Sequence, residues 1–341
     1  MRRKDLTTLV YSAAHLIVDM GCAFLMYFWV RSTGDWHMSV LLYNFMAFAM
    51  QLPLGLLADK LSRNWLFALI GCLAVAGAFM LNGSPIAAAI VAGIGNSLFH
   101  IGGGIEVMNL IPGKSSLLGI FVSTGAIGLY AGAWLGGYGQ PAAVPVAVSL
   151  VLTGSVIAWV QLGNEGDVSS HNVPFDPVPE GGAKALLPLL CLFIVVCIRS
   201  YTGLAMYLPW KKGYLALGVV LASAIGKASG GFLADRAGAK GASLMSLTGA
   251  AVLFLFSSRP VAGILAVLLF NMTMPVTLWA TSRILKGARG FAFGMMTFGL
   301  FLGFIPIYLN LWSPLQDTWS LTASAAVSLL FLLMGLRRRV K

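Results

Sequence analysis

Charge is what this chain has least of. Asp, Glu, Lys and Arg together make up 10% of its 341 residues, against about 25% in a soluble domain. Cysteine is scarce as well: Cys22, Cys72, Cys191 and Cys197 all lie in apolar runs with no C-x-x-C pair. That pattern argues against a disulfide framework or a zinc site, and no metal is expected. There is no H-E-x-x-H and no nucleophilic serine elbow, so no enzyme is expected. Pro112-Gly113-Lys114-Ser115 looks like the end of a phosphate loop, but Met108 stands where its first glycine would be, and no strand precedes it. Polar stretches are nearly absent too. The single long one runs from Gly163 to Gly182, with Glu165, Asp167, His171, Asp176, Glu180 and three prolines. Without apolar periodicity it reads as a linker.

What remains is apolar: 58% of the residues are hydrophobic and the mean hydropathy is +0.87. No water-soluble core absorbs so many uninterrupted runs, so the chain reads as an all-α polytopic membrane protein. Lipid leaves unpaired backbone groups without partners, which makes helices the expected spanning element. Twelve spans are expected near residues 6–31, 36–58, 65–82, 86–111, 115–137, 142–162, 184–207, 214–234, 240–257, 260–282, 290–312 and 319–336. They divide into an N-terminal six-helix half, 1–162, a cytoplasmic linker, 163–183, and a C-terminal half, 184–341.

The formal charge of +11 raises nucleic acid as a partner, and the position of the bases answers it. With the N-terminus inside, 16 of the 22 Lys and Arg fall in cytoplasmic segments and 4 in outer loops, leaving Arg199 and Lys227 within spans. This is the positive-inside asymmetry of a bilayer protein, so lipid is the expected surroundings and nucleic acid is not. Met1-Arg-Arg-Lys begins a run that contains Asp19 and is followed by eleven more, which makes it an uncleaved first span. A monomer in a bacterial inner membrane with both termini cytoplasmic is expected.

The chain is also duplicated. Gly55-Leu-Leu-Ala-Asp59-Lys60-Leu-Ser62-Arg63 returns 176 positions later as Gly231-Phe-Leu-Ala-Asp235-Arg236-Ala-Gly238-Ala-Lys240. Gly119 and Gly128 have the spacing of Gly294 and Gly303, offset by 175. The G-x-x-x-D-(R/K)-x-G-x-(R/K) pattern resembles the signature loop of the major facilitator superfamily of secondary transporters. Ser62 replaces the second glycine of the first copy. The resemblance implies two six-helix bundles, a substrate site between them and alternating access. Asp59, Lys60, Arg63, Asp235, Arg236 and Lys240 are then gate residues, each aspartate meeting the positive end of the helix that follows it.

Charges within lipid cost about 2.5 to 3.5 kcal/mol at a helix centre, so each needs a partner or a role. His15 and Asp19 are spaced i, i+4 and share one helical face. With His100 and Glu106 they are the candidates for proton coupling; the bland alternative is a polar pair packed between helices. Arg199 lies opposite the first span by the family's arrangement and is a candidate for an anionic group or for Asp19. Lys227 matches Gln51 by the repeat offset and either lines the cavity or snorkels. Asn44, Gln51, Asn96 and Asn271 are candidates for neutral hydrogen bonds to substrate. Ala14-His15-Leu-Ile-Val-Asp19 and Phe99-His100-Ile-Gly-Gly resemble fosmidomycin-resistance-type members.

In the fifth span, Gly119, Gly128, Gly132, Gly136 and Gly137 resemble the antiporter motif of drug exporters, with Ala133 in place of its proline. Such glycines let helices approach closely.

Together these readings predict a proton-coupled secondary transporter that exports a small organic, anionic solute, powered by the proton gradient and without a cofactor. An importer of a polar nutrient or of a metal ion such as copper is the alternative, with Met46, Met50, Met272 and Met274 as soft ligands. A membrane enzyme or nontransporting sensor is the alternative of another class.

Overall fold

The computed structural model describes residues 3–81, 83–162, 174–311 and 317–337. Most of the expected linker, residues 163–173, lies outside them. The described residues contain no β-strand; one isolated bridge joins Asp176 to Gly287.

Among the described residues, ten helices are long and apolar enough to cross a membrane. With the shorter Asn64–Ala78 we label them in chain order: α1 Lys4–Val30, α2 Trp36–Leu61, α3 Asn64–Ala78, α4 Pro85–Leu110, α5 Ser116–Gly136, α6 Pro141–Leu162, α7 Gly182–Ala205, α8 Tyr214–Phe254, α9 Pro260–Ile284, α10 Arg289–Tyr308 and α11 Thr318–Gly335. At 41 residues, α8 is two helices meeting at Gly238, whose φ of 74° and ψ of 152° are not helical. Counted as two, it brings the apolar segments among the described residues to twelve. Two widened π turns, Met26–Val30 in α1 and Phe45–Ala49 in α2, interrupt the regular ladder; α1 has no proline, whereas Pro53 of α2, four residues after Ala49, has no N–H for the Ala49 carbonyl.

Helix ends follow local chemistry. Pro85 and Pro260 open α4 and α9, where a missing N–H costs nothing. Ser84 Oγ accepts from Ala87 N and Asp317 accepts from Ser320 N at 2.7 Å. The Ser320 bonds also hold the exposed Asp317 carboxylate below its usual range.

Two compact units result. The first contains residues 1–112, 124–176 and 287–294; the second contains 113–123, 177–286 and 295–341. Within the first, α4 packs on α3, α1 and α2, and α6 packs on α3 and α1. Within the second, α8 packs on α9 and α11, and α7 packs on α11 and α9. The described end of the linker is tied down. Asp176 N donates to Gly287 O at 3.0 Å, Glu180 N donates to Ile284 O at 2.8 Å, and Lys286 Nζ sits 2.7 Å from the Glu180 carboxylate. That bond is the main cause holding the exposed Glu180 below the ordinary carboxylate range.

Both signature loops turn at equivalent residues. Ser62 has φ 51°, and Gly238, 176 positions on, has φ 74°. The second glycine of the pattern is therefore a left-handed backbone position, strained for serine and natural for glycine. Gly238→Ala is expected to destabilise by about 2 kcal/mol, because its ψ adds to the strain. Ser62→Gly is expected to be neutral or to stabilise by up to about 1 kcal/mol. Apparent melting temperatures of the purified variants test the opposite signs.

Candidate functional site

Three groups of polar residues stand out, and each forms within one compact unit. The largest is a buried cluster in the first unit. His15 and Asp19 come from α1, and Asn96 and His100 from α4. Each is less than a tenth exposed. Helical spacing puts each pair on one face, and the packing of α1 on α4 brings the faces together. Asn96 Nδ2 donates to Asp19 Oδ1 at 2.9 Å. His15 Nε2 lies 3.2 Å from Asp19 Oδ2 and 2.8 Å from His100 Nε2, and His100 Nε2 lies 3.7 Å from Asp19 Oδ1.

Hydrogen positions follow from the acceptors. His100 Nδ1 is 2.8 Å from the main-chain oxygen of Asn96; a carbonyl only accepts, so Nδ1 carries a hydrogen. In neutral His100 the other nitrogen, Nε2, is then a lone pair, and the contact to His15 is closed by a hydrogen on His15 Nε2. A further proton on His100 Nε2 faces Asp19, and it reverses the bond to His15 once the His15 hydrogen moves to Nδ1 and leaves a lone pair on Nε2. The cluster is thus hydrogen-bonded at two different proton counts. Gly125 of α5 abuts it: a Cβ there would collide with Asp19 Oδ2 and His15 Nε2.

The second group is Arg199 of α7, buried in the second unit. Its guanidinium makes one long hydrogen bond, 3.4 Å from Nη1 to Thr277 Oγ1 of α9, and no carboxylate of its own unit pairs with it among the described residues. Nearby in sequence, Thr202 Oγ1 is buried with no partner among the described residues. A buried charge left this way is costly.

The third group is a pair of equivalent caps. Asp59 accepts from Gly290 N and Phe291 N, both at 2.8 Å, at the start of α10. Asp235 accepts from Ser115 N at 2.7 Å, Ser115 Oγ at 3.0 Å and Ser116 N at 3.1 Å, at the start of α5. The sequence reading had each aspartate meeting the helix that follows its own loop; the structure corrects this to a helix more than a hundred residues away. The reason is electrostatic. Asp59 sits in the last turn of α2, whose carbonyl end repels it, so its carboxylate turns to the positive end of another helix.

Backbones touch beneath both caps. A Cβ on Gly55 would meet Gly290 O, and one on Gly294 would meet Gln51 O. Equivalently, a Cβ on Gly231 would meet Ser115 O and one on Gly119 would meet Lys227 O. The repeat read in the sequence is a repeat of contacts. Loss of a cap costs about 1 to 2 kcal/mol, so Asp235→Ala should speed hydrogen exchange at Ser115 and Ser116 by roughly 5- to 30-fold. Gly290 and Phe291 should be unaffected, and Asp59→Ala should do the converse.

No protein-family model matches the chain, and no curated protein sequence matches it. Solved structures do. It is similar to the E. coli transporter FucP in its outward conformation, a major facilitator protein, with 13% identity and a TM-score of 0.60 over 98% of this chain and 99% of that one. It is also similar to the human organic anion transporter MFSD10 (TETRAN), with 13% identity and a TM-score of 0.72 over 98% of this chain and 100% of that one. The chain has the major facilitator fold.

On that fold the other sequence candidates take the following places. Glu106 is buried, with the Asn64 side chain near it. Asn44 and Asn271 donate to the backbone of their own helices, to Val40 O at 2.8 Å and Val267 O at 2.9 Å. Gln51 donates to Ala47 O at 2.6 Å, and its Oε1 is buried with no partner among the described residues. Lys227 is half-buried. Lys60 Nζ lies 5.6 Å from the centre of the Phe175 ring, Arg63 precedes α3, and Arg236 and Lys240 are exposed. Of the glycines in the fifth-span motif, Gly128, Gly132 and Gly136 lie on α1 at Leu16, Met20 and Tyr27, while a Cβ on Gly137, just past α5, would meet Trp134 O.

Sequence reasoning missed Thr277, Gly125, Ser115 and the partners of Arg289. Arg289 Nη1 donates to Asn109 Oδ1. Ser115 was legible only as the tail of a false phosphate loop.

Proposed function

We propose that the protein is a proton-coupled secondary transporter working by alternating access, and that it exports a small organic anion. Integral membrane helices and the major facilitator fold are its frame. The observation that carries the substrate class is Arg199, a buried guanidinium whose one hydrogen bond among the described residues is a long one to Thr277. A carboxylate or phosphate there would take the donors that the protein leaves weakly used, and Thr277 would be its neutral neighbour. Lys227 is the second cation proposed to face the solute, with Asn44, Gln51 and Asn271 as polar lining.

Coupling is assigned to His15, Asp19 and His100, held by Asn96. Glu106 is proposed as a separate stop for the proton nearer the cytoplasmic end of α4. The caps at Asp59 and Asp235 are proposed as latches: each joins segments from the two sequence halves, holds in one conformation and opens in the other. The basic residues beside them keep that end cytoplasmic, with both termini, in a bacterial inner membrane. Export is favoured by the glycine face of α5, which lies against α1 and its coupling residues.

The test is a thermal-shift screen of purified protein with size-matched anionic, neutral and cationic solutes. Protection by anions alone is expected. Equal protection by neutral or cationic analogues ends the anion assignment.

A further inference from the structure

We infer that His15, Asp19 and His100 also form a binding site for a borderline divalent transition-metal ion, with Zn2+ as its type. This deepens the assignment of the cluster as the cation-handling site and rests on its geometry.

One ligand atom from each residue lies within 4.8 Å of the others. A tetrahedral ion bound at about 2.0 to 2.1 Å holds its ligands roughly 3.3 Å apart. The two histidine nitrogens are 2.8 Å apart, His15 Nε2 lies 3.2 Å from Asp19 Oδ2 and His100 Nε2 lies 3.7 Å from the other carboxylate oxygen, Oδ1, so a rotation of the Asp19 carboxylate that turns one oxygen toward both rings admits the ion. Two of the ligands sit one turn apart on α1, and the third comes from α4.

The surroundings are those of a metal site as well. A ligating histidine commonly donates its other ring N–H to a backbone carbonyl, which fixes the ring and its tautomer. His100 does so, with Nδ1 bound to Asn96 O at 2.8 Å and its Nε2 lone pair left facing the cluster. Asp19 is oriented by Asn96 Nδ2 at 2.9 Å. That donation fixes which way the Asn96 amide points, and its Oδ1 is left buried with no partner among the described residues. A water on the ion can supply the missing donor.

The donor set decides the class. Two imidazoles and one carboxylate suit Zn2+, Co2+ and their neighbours; Cu(I) prefers sulfur, and Mg2+ and Ca2+ prefer an all-oxygen shell. The methionines singled out in the sequence are not among these ligands.

Because the ion uses the same lone pairs that a proton would, the two exclude each other. Co2+ added to the purified full-length protein should give one equivalent of tetrahedral ligand-field absorption, displaced by Zn2+. His100→Gln should abolish it, and Asn96→Ala should weaken it 10- to 100-fold. Gly125→Ala, which places a methyl against Asp19 and His15, should abolish it while leaving all three ligands in the chain. Absence of the tetrahedral bands in wild type overturns the inference, and so does equal binding in His100→Gln and Gly125→Ala. Either result leaves anion protection through Arg199 standing, so the two assignments fail separately.

Discussion

Arg199→Ala is expected to lose anion binding and transport almost entirely. Removing one partner of a buried charged hydrogen-bonded contact costs about 3 kcal/mol, roughly 100-fold in affinity. The fold should not suffer in proportion, because among the described residues Arg199 gives its own unit one long bond, to Thr277. Removing a charge that burial disfavours should leave the unliganded variant as heat-stable as wild type, or more so. Arg199→Lys should recover part of the affinity for a phosphate and less for a carboxylate, since an ammonium lacks the guanidinium's two-toothed fork. Isothermal titration with the best anion from the screen reads the difference. A variant that binds within about threefold of wild type, under 1 kcal/mol, would show that Arg199 is a packing residue.

Asp19→Asn carries the second large effect. Asparagine keeps the size of the side chain and can still meet Asn96, but it takes away the carboxylate that lies 3.2 Å from His15 Nε2 and that a proton on His100 Nε2 faces. Coupling free energies of 1 to 3 kcal/mol correspond to about 5- to 150-fold in affinity between states. The variant is therefore expected to lose accumulation driven by a pH gradient while retaining exchange of labelled for unlabelled anion. Loss of both activities in a well-folded protein would place Asp19 in the substrate path. Retention of both would remove it from coupling.

Much of this molecule is legible along the chain because lipid imposes simple rules. The expected edges at residues 36, 86 and 319 fall next to Trp36, Pro85 and Thr318, where a turn residue or a cap ends an apolar run of the length that hydrocarbon requires. The break in α8 is legible too, though not its form. Residues 235–239 read as a loop, yet the backbone stays helical to either side of Gly238. The cluster was half visible: i, i+4 spacing pairs His15 with Asp19, whereas their meeting with Asn96 and His100 depends on how α1 packs on α4.

Least legible were contacts across long separations. Nothing near Asp59 marks Gly290 as its partner, 231 residues away, until the second copy with Asp235 and Ser115 is laid beside it. Thr277 is one threonine among several in α9, and Gly125 is lost among the glycines of α5. The π turn in α1 has no proline to announce it. These features depend on which surfaces meet, and local pattern carries little of that information.

Proton-driven movement of an organic anion is the centre of the account. It is tested most directly in proteoliposomes that hold purified protein, a pH-sensitive dye inside and a labelled anion outside. An imposed pH gradient should drive the anion against its concentration, with proton flux that stops when the anion is withheld, and reversing the gradient should reverse the direction. Anion flux that is the same with the gradient forward, reversed or absent would contradict it.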